Sequence, residues 1–124
     1  MNLTLTVPPS TNNRMYKNMR LTKEYRQWKD RASDVIASQL DREADDDRYH
    51  VAIWIYWGDR RRRDLDNYIK GPLDAITESF SVWKDDSQID RITIERKEGH
   101  RDEVQMEEGT MEILITPYSV EAPF

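Results

Sequence analysis

Tyr49 to Trp57 reads Tyr-His-Val-Ala-Ile-Trp-Ile-Tyr-Trp, nine residues without glycine or proline and dense in β-branched and aromatic side chains. Such side chains fit a pleated, packed surface, so the run is read as a strand, and as the central strand of a sheet. Gly58-Asp59 either ends it or bulges it. Three other segments alternate with period two and supply further strands: Leu3 to Val7, which stops at Pro8-Pro9, then Gln88 to Lys97, then Thr110 to Thr116.

Between the strands, Tyr25, Trp28, Ala32, Val35, Ile36 and Leu40 recur near helical spacing, which predicts an amphipathic helix from Thr22 to about Leu40 with a basic first half. Leu65, Ile69, Leu73, Ile76 and Phe80 mark a second helical face that contains Gly71-Pro72. A proline inside a helix removes a donor and crowds the carbonyl four residues back, so either a kink or a late helix start is expected. The predicted order is β, α, β, α, β, β, with the last two strands hairpin-like and the earlier links crossovers. The expected fold class is α+β (mixed α/β): one small domain over residues 1–124, a mixed sheet with two main helices packed on it.

A chain of 124 residues is long enough for one stable core, and four Trp, six Tyr and two Phe supply large apolar faces. The absence of cysteine excludes disulfides, thiolate metal sites and a thiol nucleophile. With no charged-then-apolar leader and no apolar run near 18 residues, the chain reads as a soluble, cytoplasmic protein with no membrane partner.

The net charge of −5 argues at first against a nucleic-acid partner. Its distribution argues otherwise. Met1 to Arg31 holds seven basic residues (Arg14, Lys17, Arg20, Lys23, Arg26, Lys29, Arg31) against Glu24 and Asp30, and Arg60 to Arg63 forms a second basic cluster. The acid collects in Asp41 to Asp47 and Glu98 to Glu108, both read as solvated loops. Carboxylates that hold divalent cations also count toward the negative total without repelling DNA once metal is bound.

The chemistry concentrates in Arg-Arg-Arg-Arg-Asp-Leu-Asp, Arg60 to Asp66, followed by Lys70 and then by Asp85-Asp86. If Asp64 and Asp66 leave the end of a strand, the period of two puts both carboxylates on one side, and Asp86, from the turn before the Gln88 strand, is the natural third ligand. Oxygen ligands of this kind suit Mg²⁺, with Mn²⁺ as a substitute. Lys70 lies four residues after Asp66, so a helix starting nearby would bring its ammonium alongside the metal. The competing readings are structural: Asp64 or Asp66 as a helix cap, Asp85-Asp86 as a turn, and the arginines as a solvated stretch or localisation signal. His50 and His100 stand apart from any carboxylate cluster and are given no catalytic role. Trp54 and Trp57 are read as core rather than as platforms for stacked bases.

Arg61-Arg62-Arg63-Asp64-Leu65-Asp66-Asn67, Lys70, Leu73-Asp74-Ala75-Ile76 and Trp83-Lys84-Asp85-Asp86-Ser87-Gln88-Ile89 resemble the RusA family of Holliday junction resolvases, as does the loop Pro8-Pro9-Ser10-Thr11-Asn12-Asn13-Arg14. The resemblance implies a dimeric, Mg²⁺-dependent endonuclease that makes paired nicks in four-way DNA junctions and is encoded by bacteria, phages or prophages. Its metal-binding aspartates fall on Asp64, Asp66 and Asp86 and its essential lysine on Lys70, with Asp85, Asn13 and Asn67 as secondary positions. Arg63 and its neighbours Arg61 and Arg62, with Arg14, Lys17 and Arg20 from the basic N-terminal segment, would hold DNA backbone. Symmetric cleavage of two strands suits a two-fold homodimer. No organic cofactor is expected. The leading expectation is therefore a metal-dependent junction endonuclease whose activated water attacks a phosphodiester, leaving 5′-phosphate and 3′-hydroxyl ends. A junction-binding protein that does not cleave is the alternative, and a cation-binding domain with no nucleic-acid partner the third.

Overall fold

In the computed structural model, which describes residues 1–10, 22–98 and 109–119, the expected element order is present. Strand β1 (Asn2–Thr6) leads to helix α1 (Lys23–Leu40), strand β2 (Tyr49–Tyr56), a 3₁₀ turn at Leu65–Tyr68 and helix α2 (Lys70–Ser79). A second 3₁₀ turn at Asp86–Gln88 leads into strand β3 (Ile89–Lys97), and β4 (Thr110–Pro117) follows. Among these residues no helix is long and apolar enough to cross a membrane.

The sheet order is β1-β4-β2-β3. Strand β2 is interior, as its composition predicted, with β3 parallel to it from Tyr49↔Ile89 to Tyr56↔Lys97. The last two strands are not a hairpin. β4 instead inserts between β1 and β2, antiparallel to both. Alternation of side chains identifies a strand without identifying its neighbour. Here α2 provides the crossover that parallel β2 and β3 need.

Helix α1 begins where the Thr22 hydroxyl oxygen accepts the Tyr25 N–H at 3.2 Å, a side-chain cap for an otherwise unpaired donor. It ends at Asp41, which adopts left-handed backbone with φ 45°. Of its buried stripe, Tyr25, Trp28, Ala32 and Ile36, the last three share one core with Leu73, Ala75 and Ile76 of α2 and the odd-numbered side chains of β2 and β4. Both helices thus cover one face of the sheet. The period of two separates two tryptophans: Trp57 joins the core, whereas Trp54, expected there, lies half-buried on the opposite face. Helix α1 also blunts the free edge of β1, because the Gln39 carboxamide accepts the Thr4 N–H and donates to the Thr4 carbonyl, each at 3.1 Å.

Gly71-Pro72 produces the late start rather than a kink. Pro72 is the third residue of α2, within the first turn, where its missing N–H has no intrahelical partner to lose. Gly71 is needed for contact. A Cβ there would lie 3.0 Å from the Pro8 ring and 3.3 Å from the Trp28 ring, so the glycine lets the Pro8-Pro9 loop dock against the start of α2.

Candidate active site

The arginine run is pinned by the strand it leaves. Gly58, at φ 76°, turns the chain out of β2, and Asp59 then accepts two bonds from Arg63, at 2.6 and 3.1 Å, and one from the Arg61 N–H at 3.1 Å. Arg96 reaches across from β3 and donates to the Asp59 carbonyl at 2.6 Å and the Arg61 carbonyl at 2.7 Å. Both guanidiniums lie over the Trp57 ring, 4.7 Å away for Arg63 and 5.1 Å for Arg96, and the Tyr68 ring meets the same indole edge-on at 5.0 Å. The Arg63 hydrogen bonds hold the Asp59 carboxyl down to about 2. Arg63 is consequently half-buried and paired, while Arg60, Arg61 and Arg62 point their side chains to solvent.

Asp64 follows with extended backbone (φ −86°, ψ 119°), and its carboxylate does not cap the 3₁₀ turn; only its carbonyl is used, by the Asn67 N–H at 3.1 Å. Asp66 sits inside that turn rather than on a strand, so the alternation expected to align it with Asp64 does not apply. Both carboxylates are exposed, with no side-chain partner among the described residues. Ser10, Arg62, Arg63, Asp64, Asn67 and Tyr68 line one cleft of about 260 Å³. The Pro8-Pro9-Ser10 motif and the Arg-Asp-x-Asp-Asn motif therefore border the same space. Exposed, oxygen-only donors beside cationic side chains fit a hard divalent ion, which commonly takes one or two protein carboxylates and completes its shell with water and phosphate.

Lys70 opens α2. Because the helix starts there and Asp66 belongs to the preceding turn, the lysine makes its four-residue contact forward instead of back, with Nζ 3.0 Å from Asp74. The other Asp74 oxygen accepts the Tyr25 hydroxyl at 2.8 Å.

The acidic pair divides into two roles. Asp85 is a cap, accepting the Ser87 N–H at 3.0 Å within a capping box completed by Gln88, and hydrogen bonding from Ser87 holds its carboxyl below the usual range. Asp86 is exposed, without a side-chain partner among the described residues. The turn is fixed by Gln88, whose carboxamide oxygen accepts Lys84 and Asp85 N–H groups at 2.9 and 3.2 Å. Its amide nitrogen donates to the carbonyls of Asp45 and Asp47 at 2.8 and 2.9 Å. The acidic loop before β2 is thus only partly solvated. Asp45 accepts from the Tyr49 hydroxyl at 2.6 Å, Arg42 at 2.8 Å and the Asp47 N–H at 3.1 Å, and the Tyr49 bond contributes most to lowering its carboxyl pKa.

One chain does not bring the three aspartates together. Asp86 precedes Ile89, which pairs with Tyr49 at the start of β2, whereas Asp64 and Asp66 follow the end of β2 at Tyr56. Eight residues of strand separate those ends, roughly 23 Å at the rise of an extended chain. Among the described residues no three acidic or imidazole groups are close enough to hold a metal ion. His50 bonds Thr93 Oγ1 at 2.9 Å, away from the cleft. Asn13, Arg14, Lys17, Arg20 and His100 lie outside the described residues.

Asp59, Arg96, Asp45 and the carboxamide of Gln88 hold the site's loops in place without having been among the expected site residues. The four-residue spacing of Asp59 and Arg63 was a readable signal, whereas Arg96 is brought in only by the pairing of β2 with β3.

Residues 6–114 match the family model Endodeoxyribonuclease RusA. The chain is 34% identical over 91 residues to proteins named crossover junction endodeoxyribonuclease RusA from Enterobacteria phage 82, Shigella sonnei (strain Ss046) and Escherichia coli (strain K12). Each alignment covers 70% of this chain and 74% of the relative.

Proposed function

The chain belongs to the RusA endodeoxyribonuclease family, and on that footing we propose that it is a Mg²⁺-dependent resolvase that nicks four-way DNA junctions in pairs, in the cytoplasm of a bacterium. The observation that carries this reading is the cleft lined by Arg62, Arg63 and Asp64, with the Asp66 carboxylate in the adjoining turn and neither acid engaged by a side chain among the described residues. A divalent cation between them would let carboxylates that repel a phosphodiester work beside cations that hold it.

Asp64, Asp66 and Asp86 would hold Mg²⁺, or Mn²⁺ in its place. The bound ion supplies Lewis acidity to the phosphoryl oxygen and the attacking water. Arg61 and Arg62, exposed beside the cleft, hold DNA backbone and set affinity without reading sequence. Arg63 acts mainly by fixing their loop through Asp59 and Trp57 and adds a partly neutralised charge to the cleft wall. Lys70 stabilises negative charge on the phosphoryl group as the 3′ oxygen leaves.

A homodimer reconciles these roles with the distance between Asp86 and the cleft. A two-fold axis that brings the start of β2 in one subunit against the end of β2 in the other completes two carboxylate sites at once. It also matches the two-fold character of a junction cut on two strands.

The test is cleavage of a labelled four-way junction and of linear duplex, with Mg²⁺ and with EDTA, by the parent protein and by Asp66→Asn. Paired nicks in the junction alone, abolished by EDTA and by the substitution, are expected. Junction binding without cleavage under every metal condition would refute the assignment.

A further inference from the structure

Two contacts outside the carboxylate cleft converge on Asp74, one of them from Lys70. Asp74 uses one carboxylate oxygen on Lys70 Nζ at 3.0 Å and the other on the Tyr25 hydroxyl at 2.8 Å. Tyr25 is 1% exposed and sits in the first turn of α1. The chain Tyr25–Asp74–Lys70 therefore runs from a buried anchor on one helix to a half-exposed ammonium at the first residue of the other.

We propose that Asp74, held in orientation by Tyr25, is a positioning residue that keeps the Lys70 ammonium aimed for the cleavage step. The proposal rests on the reading of Lys70 as a group that meets the scissile phosphate. An exposed four-residue ion pair contributes little to stability, so the Lys70 contact has little value as a fold device. Its value lies in orientation. Lysine carries considerable rotamer entropy, and a carboxylate already fixed at its far oxygen cannot turn to follow a wandering ammonium. Fixing the side chain before substrate arrives leaves that cost out of the chemical step. An ammonium has three N–H donors, and the Asp74 contact occupies one, leaving two for phosphoryl oxygens.

The opposite role would be a parked lysine, withheld by Asp74 and released when DNA binds. The two roles predict opposite signs: removing the Asp74 charge slows cleavage if it positions Lys70 and speeds it if it withholds Lys70.

The experiment is a double-mutant cycle on single-turnover junction cleavage at saturating protein and Mg²⁺, using Asp74→Asn, Lys70→Ala and both together. Junction affinity is measured in EDTA, and the melting temperature of each variant is recorded. Asp74→Asn is expected to slow cleavage about 10-fold while junction affinity stays within about 2-fold. In the Lys70→Ala background the same substitution should cost less than about 2-fold, because the group it positions is gone. Tyr25→Phe keeps the buried ring and removes only the hydroxyl, so it serves where Asp74→Asn folds poorly, with a smaller slowing of about 3-fold that also vanishes without Lys70. Equal slowing with and without Lys70 would mean that Asp74 merely supports the fold, and faster cleavage would mean that it withholds the lysine. Either result overturns the proposal. If Lys70→Ala itself cleaves at the parent rate, the reading of Lys70 fails first and takes the proposal with it.

Discussion

Gln88→Leu is expected to be among the most damaging single changes outside the apolar core. The side chain is buried, 8% exposed, and its carboxamide makes four hydrogen bonds to backbone: two accepted from Lys84 and Asp85, two donated to Asp45 and Asp47. Leucine fills similar volume and makes none of them. At about 1 kcal/mol net for each bond, with some of the freed groups recovering water at the loop surface, the loss is about 3 kcal/mol. For a domain of this size a loss of that order lowers the melting temperature by roughly 10 °C. Urea and thermal unfolding followed by circular dichroism read it directly. Because Asp85 and Asp86 ride on the same turn, the Mg²⁺ concentration for half-maximal cleavage should also rise. Gln88→Glu separates bond loss from a simple volume effect, since it keeps an acceptor toward Lys84 and Asp85 but turns a second acceptor toward two carbonyls; it should be no better than leucine at neutral pH. A loss below about 1 kcal/mol for Gln88→Leu would refute the argument that these bonds hold the two loops together.

Phe80 ends α2 at φ 52° with 65% of its surface exposed, so Phe80→Gly should raise stability by about 1 kcal/mol in urea unfolding by relieving left-handed strain, and a loss would show that the exposed ring has a stabilising contact. Asp59, depressed to about 2 in the folded state, contributes stability that is complete above its unfolded value near 4 and disappears as pH falls through about 2. The parent and Asp59→Asn should therefore differ at pH 6 and converge between about pH 4 and pH 2; a constant difference across that range would contradict the pairing. Arg61→Ala or Arg62→Ala should reduce the salt dependence of junction binding by about one unit of slope without changing the melting temperature, whereas Arg63→Ala should lower it, and equal behaviour of all three would refute the division of roles.

Much of this was legible because it is local. The density of β-branched and aromatic side chains in Tyr49 to Trp57 marks an interior strand, and the Tyr25, Trp28, Ala32, Ile36 stripe marks α1. The Thr22 cap fixes where that helix starts. The proline rule limited α2 to a kink or a late start, and the Pro8 and Trp28 rings packed at Gly71 explain why a glycine precedes the proline. What was not legible depends on which strands become neighbours. The insertion of β4 between β1 and β2, the arrival of Arg96 over Trp57 and the clamp of Gln88 on the Asp45 loop all join residues more than 30 positions apart. The carboxylates show the same boundary. Spacing paired Asp64 with Asp66, and the turn before the Gln88 strand and the family resemblance added Asp86, but the parallel register of β2 and β3 places Asp86 at the far end of the sheet.

That separation leads to the claim that the three aspartates form one cleavage site shared between two subunits, which subunit mixing tests. Asp66→Asn and Asp86→Asn proteins are prepared separately, mixed under conditions that exchange subunits, and assayed on a labelled four-way junction with Mg²⁺. Each alone should be inactive. In the mixed dimer one of the two sites has Asp64 and Asp66 from one subunit and Asp86 from the other, so the mixture should recover cleavage as single nicks rather than paired ones. A mixture that exchanges subunits and binds the junction yet remains inactive would contradict the claim.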